Sequence, residues 1–298
     1  MMRITRFCNT RHAALDDSPP PSAMAVADIP AGITAVDVSA ISNIILFLCF
    51  TFFLINKVFG PRFAPSYIAK DPFLLAFELT CLLPLAYCAV TGTRSWLYDL
   101  NEGFETPESR LYKPVPMSSR KMILMNAAFQ LWDFLISLGR KELNSIEMLL
   151  HHSLAAALCL VGLHIGFGQF YGLFFMGVTE VSSLPLVYVD LGKFYPELLA
   201  RYPGRDLAAK VIFFLAFIAI RDFMFIKYSI QLWKDSLHVL KAGTAVYPSI
   251  TYGFLVTNLF FNVLQIYWTK LLLDGLFDLL KKKKDDGDDE KEEKKKEK

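Results

Sequence analysis

The sequence predicts an all-α, polytopic membrane protein, and three observations carry that prediction. Hydrophobic residues fill 54% of its 298 positions, with 26 Phe, and the mean hydropathy is +0.36. That is more apolar surface than one water-soluble domain of this length needs to bury. The apolar residues fall into seven segments, each long enough, at about 1.5 Å rise per residue, to cross roughly 30 Å of hydrocarbon. Polar residues inside several of these segments recur at intervals of three and four, which is the period of a helix and not of a strand.

Taken in order, residues 1–37 are polar, and Pro19-Pro20-Pro21 argues against a helix there. A disordered N-terminus is expected. No short apolar core with a small-residue cleavage site precedes the first span, so no removable signal peptide is expected. Arg3, Arg6 and Arg11 would suit a transit peptide, but Asp16 and Asp17 count against one. The first span covers 38–56, inside a first transmembrane unit of 38–60. The others are expected at 72–90, which contains Glu78, and at 122–139, 146–167, 170–191, 207–233 and 248–273, with an amphipathic or frayed extension to Leu280. Pro107, Pro114 and Pro116 mark the long loop before the third span. Segment 281–298 is a low-complexity run of Lys, Asp and Glu, expected to be a solvated, disordered tail. Because so much charge sits there, the net charge of +2 says little about partners, and no nucleic-acid partner is expected. Cys8, Cys49, Cys81, Cys88 and Cys159 show no CxxC spacing and read as small buried side chains.

Lys281 to Lys284, just past the last span, favour a cytosolic C-terminus under the positive-inside rule. The loop from Arg94 to Lys121, with five basic residues, then lies on the opposite side, against that rule. Lys295-Lys296-Glu297-Lys298 has the form of a dilysine retrieval signal for the endoplasmic reticulum, a match that a lysine-rich tail also produces by chance.

Polar stripes mark the interior. Asn126, Gln130, Asp133, Ser137 and Arg140 share one face of the third span, and Asn258, Asn262, Gln265 and Thr269 share one face of the seventh. Lipid cannot satisfy such groups, so both faces must turn into the bundle or toward a cavity. Glu147 lies one turn before His151 and could orient its imidazole. Glu180, Ser182 and Ser183 precede Pro185 in the fifth span. Arg221 and Asp222, as neighbours in the sixth, must point to different partners. The plainer reading of Asn126, Gln130, Asn258 and Asn262 is interhelical hydrogen bonding. His151-His152 is harder to explain by packing, because two adjacent imidazoles in an apolar helix need a partner or a role.

Phe129-Gln130-Leu131-Trp132-Asp133-Phe134-Leu135, Arg140, His151-His152, Glu180-Val181-Ser182-Ser183-Leu184-Pro185, Arg221, and Asn258 through Gln265-Ile266-Tyr267-Trp268 together resemble the TLC-domain family, which comprises ceramide synthases and non-synthase relatives. The resemblance spans residues 70–280. It implies six helices around a central lipid-accessible cavity, with the first span packed outside. In ceramide synthases the paired histidines move an acyl group from coenzyme A to a sphingoid base. By that resemblance His151, His152 and Asp133 are the catalytic candidates, and Arg140 and Lys141 are candidates for the phosphates of coenzyme A. Glu147, Glu180, Ser182, Ser183, Asn258, Asn262, Gln265 and Arg221 are candidates for binding a lipid or its headgroup. Where the synthases carry His-Asp and a further Asp, this chain has Thr179-Glu180 and Ser182-Ser183, and no homeobox-like segment separates the first two spans. Both departures place it nearer the non-synthase branch.

Two functions are therefore expected of one cavity. The first is lipid handling in membrane lipid homeostasis, with membrane lipids as partners. The alternative is acyl-coenzyme A-dependent N-acyl transfer in sphingolipid and ceramide metabolism. No cofactor and no metal are expected, with acyl-coenzyme A a substrate in the alternative. Whether the protein is an enzyme, and whether it forms a homo-oligomer, the sequence leaves open.

Overall fold

The computed structural model describes residues 32–100 and 103–296, with side chains described as far as residue 277. The expected N-terminal disorder thus falls, up to position 31, outside the described residues, as do the side chains of segment 281–298; the backbone of 281–296 continues the last helix where a disordered tail was expected. Among the described residues there are helices and no strands. Seven long rods succeed one another: α1 (Ala35–Phe63), α2 (Phe73–Asp99), α3 (Met117–Ser137), α4 (Ile146–Ile165), α5 (Gln169–Phe194), α6 (203–242) and α7 (Pro248–Lys296).

α1, α2, α4, α5 and the part of α7 up to Phe277 are long and apolar enough to cross a membrane. α3 and α6 are less apolar for reasons visible in their packing. The first turns of α3 carry Ser118, Ser119, Arg120 and Lys121, and the polar residues further along it, Asn126, Gln130, Asp133 and Ser137, are all buried inside the bundle. The second half of α6, Phe225–Ala242, is strongly amphipathic, with Phe225, Leu232 and Val239 buried on one face.

Local chemistry sets the ends of the rods. Thr34 caps α1 in a reciprocal pair with Asp37, and Asp37 also pairs with Arg120 at 2.8 Å, tying the start of α1 to that of α3. α4 ends at Gly166 and α6 at Gly243, both left-handed (φ 69° and 71°), a conformation that glycine adopts without a Cβ clash. π-helical turns interrupt three rods of the bundle, at Ser95–Asp99, Phe174–Val178 and Ile218–Met224. The last contains Arg221 and Asp222, and the second sits immediately before Thr179-Glu180. Each widened turn rotates the residues after it relative to a regular helix, and such turns are frequent at functional sites.

Six rods close a ring. α2 packs on α3, α3 on α4, α4 on α7, α7 on α6, α6 on α5, and α5 back on α2. α1 lies outside, against α3 and α2. α2 and α5 cross at Gly92 and Gly177, where a Cβ on either glycine would run into the other's Cα. Small residues at such a crossing let the backbones touch. Trp132 fills the space between α1, α2 and α3, stacked on Phe77 with ring centroids 5.9 Å apart and edge-on to Phe52 at 6.1 Å.

The bundle has two unlike ends. One, termed the N-terminal face, carries segments 103–116, 166–168 and 243–247. The other, the C-terminal face, carries 64–72, 138–145 and 195–202. At the N-terminal face Leu111, Tyr112 and Val115 are buried in the core, and Gly168 N–H donates to Leu111 O at 2.7 Å. Arg110 forms a two-pronged pair with Asp235 at 2.6 and 2.7 Å, and the Tyr171 hydroxyl donates to the same carboxylate.

Candidate functional site

A chamber of about 900 Å³ runs inward from the C-terminal face, within the size range of small-molecule sites. Its outer part is lined by Glu142, Ser145 and Glu147 beside α4, by Lys193 and Phe194 at the end of α5, and by Leu271, Leu272 and Gly275 on α7. Asp133, His151, His152, Glu180, Ser182, Ser183 and Arg221 line it further in. A second, tighter cavity of about 80 Å³ continues toward the N-terminal face, lined chiefly by apolar groups such as Leu158, Phe167, Phe175 and Phe254. Gln130, His151, Glu180 and Arg221 border both, and so form a polar partition between them.

The two histidines differ sharply. His152 is buried and held from both sides, with Nδ1 2.7 Å from Gln130 Oε1 and Nε2 3.3 Å from Asp133 Oδ1. With the Gln130 amide oxygen as acceptor, Nδ1 carries a hydrogen. A proton must then also lie between Nε2 and Asp133, on one or the other, for that contact to be attractive. Ser137 donates to Asp133 Oδ1 at 2.9 Å and fixes the carboxyl. His151 has no such support. Its Nδ1 is shut off from solvent without a hydrogen-bond partner among the described residues, and its ring packs edge-on against His152, Phe261 and Trp268 at 5.1–5.4 Å. Glu147, which the spacing suggested as its orienting group, lines the outer chamber and leaves that nitrogen unsatisfied. One helical turn brings two side chains to one face, but here the carboxylate turns toward the opening.

Glu180 and Arg221 pair across α5 and α6 at 3.7 Å. Arg221 also donates to Ser182 Oγ at 2.8 Å and Ser183 Oγ at 2.9 Å, while Ser183 donates to Glu180 Oε2 at 2.7 Å. The Glu-x-Ser-Ser segment thus satisfies a buried guanidinium. Asp222 points the other way and accepts from Thr269 at 2.7 Å, the divergence expected of adjacent residues.

Other candidates are placed differently from expectation. Asn262 borders neither cavity. Its amide donates to Ser229 Oγ at 3.0 Å and to Asn258 O at 2.8 Å, while Asn258 accepts from Trp233 Nε1 at 3.0 Å and itself donates to Ser229. These bonds join α6 to α7, the plainer reading of that stripe. Asn258 and Gln265 still border the smaller cavity, where Gln265 Oε1 has no partner among the described residues. Arg140 is not free for a phosphate. It pairs with Asp71 at 2.6 Å and Glu142 at 3.5 Å and lies over the Phe73 ring, holding the Asp71 carboxyl below the usual carboxylate range. Lys141 is exposed, and neither residue lines the chamber. Among the described residues no His, Cys, Asp and Glu group is arranged to hold a metal ion.

Sequence reasoning passed over two chamber residues, Glu78 on α2 and Asp190 on α5. For Glu78 the signal existed, since it is the one carboxyl group in the expected second span and an ionisable side chain at membrane depth marks a site. Asp190 sits near the end of the expected fifth span, outside the Glu180-Ser182-Ser183 cluster, and no spacing in the sequence singled it out.

A closed ring of helices around a polar interior, four of them long and apolar enough to cross a membrane, defines the class, a polytopic all-α integral membrane protein. A family model described as the TLC domain matches residues 73–274, from the first turn of α2 into α7, and the chain belongs to the TLC-domain family. Searches among curated proteins and among solved structures give no match.

Proposed function

We propose that the chamber binds a membrane lipid and that the protein acts in lipid handling or membrane lipid homeostasis. The observation carrying this reading is the chamber itself, about 900 Å³ with a predominantly apolar wall and a cluster of polar groups at one level. A void of that size bordered by Phe, Leu and Val needs an apolar occupant, and buried polar groups such as His151 Nδ1 need a headgroup or water to complete their hydrogen bonds. Residence in the endoplasmic reticulum with the C-terminal face toward the cytosol accompanies this proposal, on the basic run after α7 and the dilysine pattern. Mass spectrometry of lipids co-purified with the full chain tests it. A lipid retained by the wild type and lost when Leu186 and Val187, which line the chamber, are replaced by Trp would support the reading. Protein free of bound lipid would overturn it.

One observation favours a second reading, acyl transfer of the ceramide-synthase type. Asp133, His152 and His151 form a chain in which one imidazole is braced by a carboxylate and the other presents an unsatisfied nitrogen beside the chamber. Imidazole in that setting can act as nucleophile or general base. Membranes supplied with sphingoid base and acyl-coenzyme A would then yield an N-acylated product, lost in His151→Ala and His152→Ala. With Arg140 committed to Asp71, the coenzyme would need other contacts.

A further inference from the structure

Among the described residues six Asp, Glu and His residues have relative exposures under a tenth, namely Asp37, Glu78, Asp133, His152, Glu180 and Asp235. Five have evident partners. Asp37 has Arg120, Asp133 and His152 have each other, Glu180 has Arg221 and Asp235 has Arg110. Glu78 is the exception. It is 6% exposed, lines the chamber, and among the described residues no hydrogen bond or ion pair reaches its carboxyl. Burying such a group without a partner is costly, so an isolated one inside a cavity marks a place where a ligand completes the set.

The surroundings select the chemistry. Asp190 and Asp133 line the same chamber as Glu78, and among the described residues no cation is paired with it. Lys193 is itself exposed. Six carboxyl side chains line the chamber; Glu180 is matched by Arg221, Glu142 by Arg140 and Asp133 by the proton it shares with His152, which leaves Glu78, Glu147 and Asp190 against Lys193 alone. An occupant with a phosphomonoester or carboxylate head would add like charge to this region, whereas a positive head would balance it.

We propose that Glu78 and Asp190 form a headgroup subsite for the ammonium group of a lipid. The inference rests on the lipid-binding reading and deepens it. It assigns a site apart from the His151-His152 pair, on the α2 and α5 walls of the same chamber. Two sources share the required chemistry, a zwitterionic phospholipid and a single-chain amine.

The test uses the purified full chain in detergent, with Trp268 at the chamber wall as a fluorescence probe. It is titrated with octadecylamine, phosphatidylcholine, phosphatidic acid carrying the same chains, and stearate. The expected result is that at least one ammonium-bearing lipid binds at least about tenfold more tightly than both anionic lipids, the scale of one charge-assisted contact. The Glu78→Gln, Asp190→Asn double variant should bring that ratio close to one. Preference for octadecylamine alone assigns a single-chain amine, and preference for phosphatidylcholine alone assigns a phospholipid. Equal or tighter binding of phosphatidic acid or stearate by the wild type overturns the proposal whether or not the variant folds, as does a preference that survives in a folded variant. If none of the four lipids binds, the lipid-binding reading itself fails.

Discussion

The two ends of this bundle are built from the same kinds of residue and finished in opposite ways. At the N-terminal face Asp235 is engaged by both Arg110 and Tyr171, Tyr112 OH accepts from Val246 N–H at 3.2 Å, and Phe167 packs edge-on against Phe254. The cavity on that side holds only about 80 Å³. Toward the C-terminal face the space widens to about 900 Å³, His151 Nδ1 is shut off from solvent without a hydrogen-bond partner among the described residues, and Glu78 faces the chamber with no ion pair. Satisfied polar groups and close packing stabilise a fold, while buried unsatisfied groups beside a void weaken it unless something else occupies the space. On the proposed reading, the contrast gives stability to one end and lipid binding to the other.

Substitutions can break or sharpen that contrast. The largest effect is expected where the two halves meet. Arg221→Ala leaves Glu180 buried without its counter-charge and should cost about 3–5 kcal/mol, read as a fall in the detergent-solubilised melting temperature, with partial recovery in the Arg221→Ala, Glu180→Ala double variant. At the sealed end, Asp235→Ala leaves the Arg110 guanidinium without its counter-charge, on the Phe104 and Glu105 carbonyls alone, and the Tyr171 hydroxyl without its acceptor, and should cost about 2–3 kcal/mol. Co-purified lipid should be unchanged, and its loss would erase the division of labour between the ends. At the open end the order reverses. His151→Phe replaces an unsatisfied ring by an apolar one of similar shape and should change stability by less than about 1 kcal/mol, while altering the bound lipid or abolishing acyl transfer.

The smallest effect belongs to the Asp71–Arg140 pair. Its Asp71 carboxyl is more than half exposed, so solvent screening limits the pair to less than about 1 kcal/mol. Because the folded-state pKa of Asp71 is lowered, the contribution is present at neutral pH and disappears as the pH falls below the ordinary carboxylate value. Asp71→Asn should therefore have a slight effect on melting at pH 7 and none in strong acid. Equal destabilisation at both would assign the role of Asp71 to packing.

The stripe Asn126-Gln130-Asp133-Ser137 was legible because its spacing obliges one face of α3 to be interior, and all four side chains are buried. Arg140 continued the same pattern on paper, yet α3 ends at Ser137 and the chain turns the guanidinium toward Asp71, a partner 69 residues away. The stripe on α7 was equally legible as a stripe. Which of its members border a cavity was not, because Asn262 is drawn onto Ser229 of α6. His151 and His152 are indistinguishable as neighbours in sequence. Only the approach of α3, with Gln130 and Asp133, makes one braced and the other unsatisfied.

Composition and periodicity alone determined that this chain is a set of apolar helices with polar faces turned inward, because hydrocarbon admits no unsatisfied backbone and few isolated polar side chains. Tertiary packing decided which carboxyl meets which cation and which meets nothing. Hydrogen bonds and ion pairs act over a few ångströms, and across a bundle those ångströms are set by helix crossings such as Gly92 on Gly177 and by π turns that rotate Arg221 into place. Neither feature leaves a period in the sequence, and Glu78 lacks a partner for the same reason that Asp133 has one, which is the position of the neighbouring helices.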